Sequence, residues 1–230
     1  MAHGDRQYRY LARMGIPVWR QRPIRECEQN FSSEVVSEKP LEPSDPWPAL
    51  RASVAACEQC SLYQTRTQTV FGVGSTQADW VFVGEAPGFD EDRQGEPFVG
   101  RAGQLLNAML FAMGLDRQQV YIANILKCRP PQNRDPLAHE VEKCEPYLQR
   151  QLQLIQPRII VALGRVAAQN LLKTDERIGV LRGRRFYYAD MEIPLVVTYH
   201  PAYLLRSPKE KRKTWQDLRL AKSILQQVSL

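Results

Sequence analysis

A chain of 230 residues, 43% hydrophobic and 24% charged, is long enough for one sizeable globular domain with an appendage. No apolar run reaches the roughly 18 residues of a membrane span, and Met1 is not followed by the apolar core of a secretion signal; a cytoplasmic protein with no membrane contact is expected. The net charge of +6 is compatible with a nucleic-acid partner, and an odd count of five cysteines argues against a secreted disulfide framework.

Residues 1–26 hold six arginines together with Tyr8, Tyr10, Leu11, Met14, Ile16, Val18 and Trp19, a basic but apolar leader. Residues 27–50 hold five acidic residues against one lysine, and Lys39 to Pro48 contains four prolines, which reads as an extended linker. The main domain is expected over 51–230, its compact part starting near Pro48 with a short helix that leads into Cys57. Asp79 to Val83 then reads as an apolar strand that ends in the loop Gly84-Glu85-Ala86-Pro87-Gly88. Ala102 to Met113 has helical periodicity, with Gly114 as its C-cap. Val120 to Ile125 reads as a strand, His139 to Ile155 as a helix, Arg158 to Leu163 as a buried strand and Val166 to Leu172 as a helix. Arg184 to Tyr188 and Leu195 to Thr198 are the last expected strands, and Lys209 to Val228 a basic amphipathic helix. Strands alternating with helices predict an α/β three-layer sandwich, a mainly parallel sheet covered on both faces. In such a sheet the functional loops follow the carboxyl ends of the strands, where Glu85, Asn124 and His200 fall.

Cys57 and Cys60 form a C-x2-C pair, while Cys128 and Cys144 flank the proline-rich segment Arg129 to Pro136. A segment with that many prolines can curl back and bring its two cysteines together. Four cysteines on two segments of a cytoplasmic chain suit either a Zn(Cys)4 site or a [4Fe–4S] cluster. Cys27 is left over in the linker.

Several ordered motifs resemble those of the family 4 uracil-DNA glycosylases: Gly84 to Gly88, Pro97-Phe98-Val99-Gly100-Arg101-Ala102-Gly103-Gln104, Tyr121 to Pro131, and His200-Pro201-Ala202-Tyr203-Leu204-Leu205-Arg206. The likeness runs from about Ala55 to Gln226. It implies hydrolytic removal of uracil from single- or double-stranded DNA by a monofunctional, monomeric enzyme of the bacterial nucleoid, and it selects one [4Fe–4S] cluster over zinc. Residue by residue, it implies a pocket lined by Gly84, Ala86 and Gly88, with Phe98 stacking on the flipped base and Asn124 reading the pyrimidine edge. His200 would support departure of uracil. Related glycosylases carry an aspartate where this chain has Ala86, which leaves Glu85 as the first choice for handling water and Glu91 as the second.

Following His200, Leu204 or Leu205 would fill the gap left by the flipped nucleotide, with Arg206, Lys209, Lys211 and Arg212 on phosphates. A branch that bonds covalently to uracil-DNA carries an extra histidine in an insertion absent after Phe98 here, which argues for turnover. The alternatives are a non-catalytic nucleic-acid-binding module with a structural metal, and an enzyme of free nucleotides. The leader, from Arg6 to Trp19, resembles the N-terminal peptide of the bacterial DNA polymerase III psi subunit; that resemblance implies a clamp-loader partner held through Leu11, Ile16 and Trp19.

Overall fold

The computed structural model describes residues 45–188 and 191–227. The leader, with Leu11, Ile16 and Trp19, and most of the linker lie outside the described residues. The first described helix, α1 (Pro46–Ala55), begins inside the proline-rich stretch. Asp45 caps α1 by accepting the Trp47 N–H at 3.1 Å. A proline in the first turn gives up only an N–H that has no intrahelical acceptor, so a proline-rich stretch starts the helix instead of keeping the chain extended. Trp47 then packs against Phe71 and Tyr121, with ring centroids 6.0 and 5.7 Å apart.

Six strands form one sheet: β1 (Val73–Gly74), β2 (Trp80–Gly84), β3 (Tyr121–Asn124), β4 (Ile159–Leu163), β5 (Arg185–Tyr188) and β6 (Ile193–Thr198), in the order β1-β3-β2-β4-β6-β5. The four inner strands are parallel, and the edge strands β1 and β5 pair antiparallel. Strands β2, β3, β4 and β6 are buried along their whole length, as continuous apolar runs covered on both faces must be. Alternation along them feeds two cores. Val81, Val83, Ala123, Ile160, Ala162 and Val197 face helices α4 (Ala138–Ile155) and α5 (Arg165–Leu172). Phe82, Ile122, Val161, Leu163 and Val196 instead meet α3 (Arg101–Met113) and α8 (Lys211–Gln227). The expected α/β three-layer sandwich is what the chain forms.

Three short helices lack a counterpart in the sequence reading: α2 (Phe89–Gln94), α6 (Ile178–Leu181) and α7 (Pro201–Arg206). Six residues or fewer give less than two turns, too little for periodicity to register. The segment after His200 is therefore mostly helix, not loop. The chain leaves β2 for β3 on one side and returns to β4 on the other, so the topological switch point lies at the carboxyl ends of β2 and β4.

Candidate active site

A cleft of about 440 Å³ opens at those carboxyl ends, lined among others by Glu85, Ala86, Gly88, Phe98, Asn124, Arg134, His200 and Arg206. Its size falls in the roughly 300–1,000 Å³ range of small-ligand sites. Glu85 directly follows β2, Asn124 ends β3, and His200 follows β6 and precedes α7.

Glycines let these side chains close on one another. A Cβ on Gly84 would stand 2.4 Å from Asn124 Oδ1 and 2.7 Å from the Phe98 ring. One on Gly103 would lie 1.7 Å from the Phe98 carbonyl oxygen, and one on Gly164 would lie 2.9 Å from His200 Cβ. Asn124, Phe98 and His200 are thus each seated against a position where only hydrogen fits. Phe98 itself takes a left-handed backbone, φ 55°, a conformation that costs a non-glycine residue about 1–2 kcal/mol. Its ring is 6% exposed and stacks on the His200 imidazole at 5.4 Å, with 30° between the planes.

His200 Nδ1 accepts the Ala202 N–H at 3.1 Å. The ring proton of the neutral form therefore resides on Nε2, which is left to donate. Burial, reinforced by the Arg206 guanidinium, pushes the His200 pKa down to about 4, so the ring is neutral at physiological pH. Glu85 moves the other way: burial and the nearby Asp135 carboxylate push it up to about 7, against the pull of Arg165. No hydrogen bond holds the Glu85 carboxylate or the Asn124 amide among the described residues, and both remain available to a ligand.

Glu91 also lines the cleft, but its role is corrected. Its carboxylate accepts the N–H groups of Gly88 at 3.1 Å, Val99 at 3.1 Å and Gly100 at 3.2 Å. That staples the Gly88 loop to the turn carrying Phe98 and leaves the carboxylate poorly placed to handle water. Leu204 is corrected too. It is 1% exposed and faces α3 and α8, near Leu105, Met109 and Leu218, so it cannot enter DNA as a wedge. Its neighbour Leu205 is 37% exposed. Arg206 lines the cleft, and Lys209, Lys211 and Arg212 are exposed beyond it.

The sequence reading missed Asn133 and Arg134, which reach the cleft from the segment between Cys128 and Cys144. Arg134 is held by both oxygens of the buried Glu140 carboxylate, which also accepts the Leu137 N–H at 2.9 Å. The prolines of this segment signal a turn but not which side chains the turn delivers.

Cys57, Cys60, Cys128 and Cys144 face one shared space with Arg66, Leu126, Lys127 and Tyr147. All four are free thiols. Arg66 Nη1 donates to Cys128 Sγ at 3.1 Å and the Lys127 N–H to Cys144 Sγ at 3.2 Å, the kind of donor that stabilises a thiolate. Burial nonetheless pushes the Cys144 thiol up to about 12, and raises Cys128 as well. Iron or zinc would supply the positive charge that such thiolates need. Among the described residues no three of His, Cys, Asp and Glu converge closely enough to hold a single metal ion.

A model of the uracil DNA glycosylase superfamily matches residues 71–219. Over 172 residues the chain is 47% identical to the type-4 uracil-DNA glycosylase of Archaeoglobus fulgidus, an overlap of 72% of this chain and 86% of that protein. It is 44% identical over 177 residues to the type-4 enzyme of Sulfurisphaera tokodaii, with 74% of this chain and 80% of that protein covered. Against the type-4 enzyme of Thermotoga maritima the identity is 40% over 176 residues, covering 75% of this chain and 91% of that protein. Fold, cleft and these likenesses agree: the chain belongs to the uracil DNA glycosylase superfamily and, within it, to the type-4 uracil-DNA glycosylases.

Proposed function

We propose that the chain hydrolyses the N-glycosidic bond of uracil in DNA, releasing the base and leaving an abasic site for base excision repair. The observation that carries this reading is the convergence of Glu85, Phe98, Asn124 and His200 on one cleft. Uracil must leave the base stack to enter it, at a cost of a few kcal/mol, and stacking on Phe98 returns roughly 1–3 kcal/mol. The Asn124 amide offers an acceptor to uracil N3–H and a donor to O4. Cytosine presents the reverse pattern, so it would leave buried polar groups unpaired at roughly 1–3 kcal/mol each.

As the C1′–N1 bond breaks, negative charge gathers on uracil O2, where the His200 Nε2–H donates. Water adds its oxygen to C1′, and Glu85 accepts the proton that water loses. A carboxylate with a pKa near working pH suits that task. The released uracil anion takes up a proton from solvent.

Cys57, Cys60, Cys128 and Cys144 would hold one [4Fe–4S] cluster. The shared space and the N–H donors to sulfur support it. The likeness to the type-4 uracil-DNA glycosylases favours that cluster over zinc. The bound cluster would act as a cross-link between two chain segments. Broad absorption near roughly 400 nm would report it, whereas zinc is colourless.

The test of function is turnover. Purified protein should leave alkali-sensitive sites in a uracil-containing strand, and His200→Ala should suppress them. Absence of such sites in single-stranded and duplex substrates alike would overturn the reading. Equal hydrolysis of dUMP would redirect it to free nucleotides.

A further inference from the structure

The cleft has a second rim, built by α2 and the segment that follows Cys128. Phe89 opens α2 directly after the cleft-lining Gly88 and is 51% exposed. The guanidinium carbons of Arg129 and Arg93 lie 5.1 and 5.5 Å from its ring centroid. Neither arginine has a carboxylate within ion-pairing distance among the described residues. A large ring left in water between two uncompensated cations is not explained by packing.

The mount is rigid. Asp92, buried inside α2, accepts the Thr67 N–H at 3.0 Å and the Thr67 hydroxyl at 2.7 Å, and Gln68 Nε2 donates to the Arg93 carbonyl at 2.8 Å. On the facing segment, Arg129 Nε donates to Asn133 Oδ1 at 2.7 Å, and Asn133 itself lines the cleft. The helix that carries Phe89 and Arg93, and the guanidinium of Arg129, are therefore anchored next to the pocket, not carried on a free loop.

We propose that Phe89, Arg93 and Arg129 form a subsite for the nucleotide next to the flipped uracil, its base against Phe89 and its phosphates against the two guanidiniums. The proposal rests on the reading of the cleft as the uracil site. Continuity with the cleft and charge complementarity favour a DNA strand over an apolar protein partner, since single-strand sites combine aromatic platforms with cations. α7 supplies the other rim through Ala202, Tyr203 and Arg206, so the strand would be gripped on both sides of the extruded base.

Anisotropy with an oligonucleotide carrying an abasic-site analogue reads this subsite without turnover. Phe89→Ala should weaken single-strand binding roughly 5- to 150-fold, and Phe89→Leu, which keeps apolar bulk, should fail to restore it. Arg129→Gln should lower the salt slope of log K by about 0.7, one phosphate on a single strand. Wild-type affinity and an unchanged slope in these variants would overturn the proposal and leave the exposed ring to a protein partner. Failure of the wild-type protein to release uracil would sink the functional reading instead, and the binding data would stand apart from it.

Discussion

His200 accepts at one ring nitrogen and leaves the other free to donate, and a pKa pushed down to about 4 keeps it in that form across the working pH range. The pH dependence of the reaction should therefore come from Glu85, whose pKa is pushed up to about 7. Below that value Glu85 is protonated and cannot accept a proton from water. kcat/KM, which reports the free enzyme, should accordingly fall as pH drops through about 7. In Glu85→Gln that acid limb should vanish along with most of the activity. His200→Ala should lose roughly 10²–10³-fold in kcat, as expected for removal of one donor to a developing oxyanion, and should keep the acid limb. A wild-type profile flat from pH 5 to 8 would refute the role given to Glu85. Stability carries the opposite sign. A carboxyl group whose folded pKa lies above its unfolded value of 4.5 binds its proton more tightly when folded, so stability declines as pH rises from 4.5 to 7 and stays low above. With allowance for the solvent contact Glu85 retains, the penalty is about 1–2 kcal/mol. Glu85→Gln should thus melt higher than wild type at pH 8, and near the wild-type temperature at pH 4.5.

Among the elements, the regular ones were legible in the sequence and the short ones were not. Apolar runs marked β2, β3, β4 and β6, and 3.6-residue periodicity marked α3, α4 and α8, because burial on a sheet or against it imposes those patterns. α2 and α7 are too short to show a period, and α1 starts on prolines that read as linker. The site residues were legible as motifs, but their packing was not. Glu91 and Leu204 looked chemical by position, yet one staples backbone and the other fills core, and no pattern in one dimension separates those roles. The glycines show the same limit: their value is a contact with a residue distant in sequence. Gly84 sits across β2 and β3 from Asn124, its registered partner. Gly84→Ala, with its Cβ 2.4 Å from Asn124 Oδ1, should displace the amide and the Phe98 ring. Excision should fall at least about 100-fold while the melting temperature moves little, since both obstructing groups are side chains that can turn away. Equal losses of activity and cooperative folding would mean that Gly84 serves the sheet, not the pocket.

For the molecule as a whole, the four cysteines join the start of the domain to the segment that delivers Asn133 and Arg134 to the cleft. Between Cys128 and Cys144 that segment has further anchors, Arg134 on Glu140 and Asp135 on Arg165. The ion pairs fix the middle of the segment, and a bound cluster would fix its ends and tie them to Cys57 and Cys60. Closing a chain loop of this length contributes on the order of 3–5 kcal/mol by restricting the unfolded chain, equivalent to roughly 10 °C in a domain of this size. Cys144→Ser, or iron chelation, should abolish absorption near roughly 400 nm and lower the melting temperature by about that amount. Glu85, Asn124 and His200 are seated at the carboxyl ends of β2, β3 and β6, not on the cysteine-bearing segments, so kcat on saturating DNA should survive better than KM. A cluster-free protein that keeps its melting temperature would show that the four thiols are not a cross-link. One that loses kcat and KM in equal measure would show that the cluster supports the reacting groups themselves.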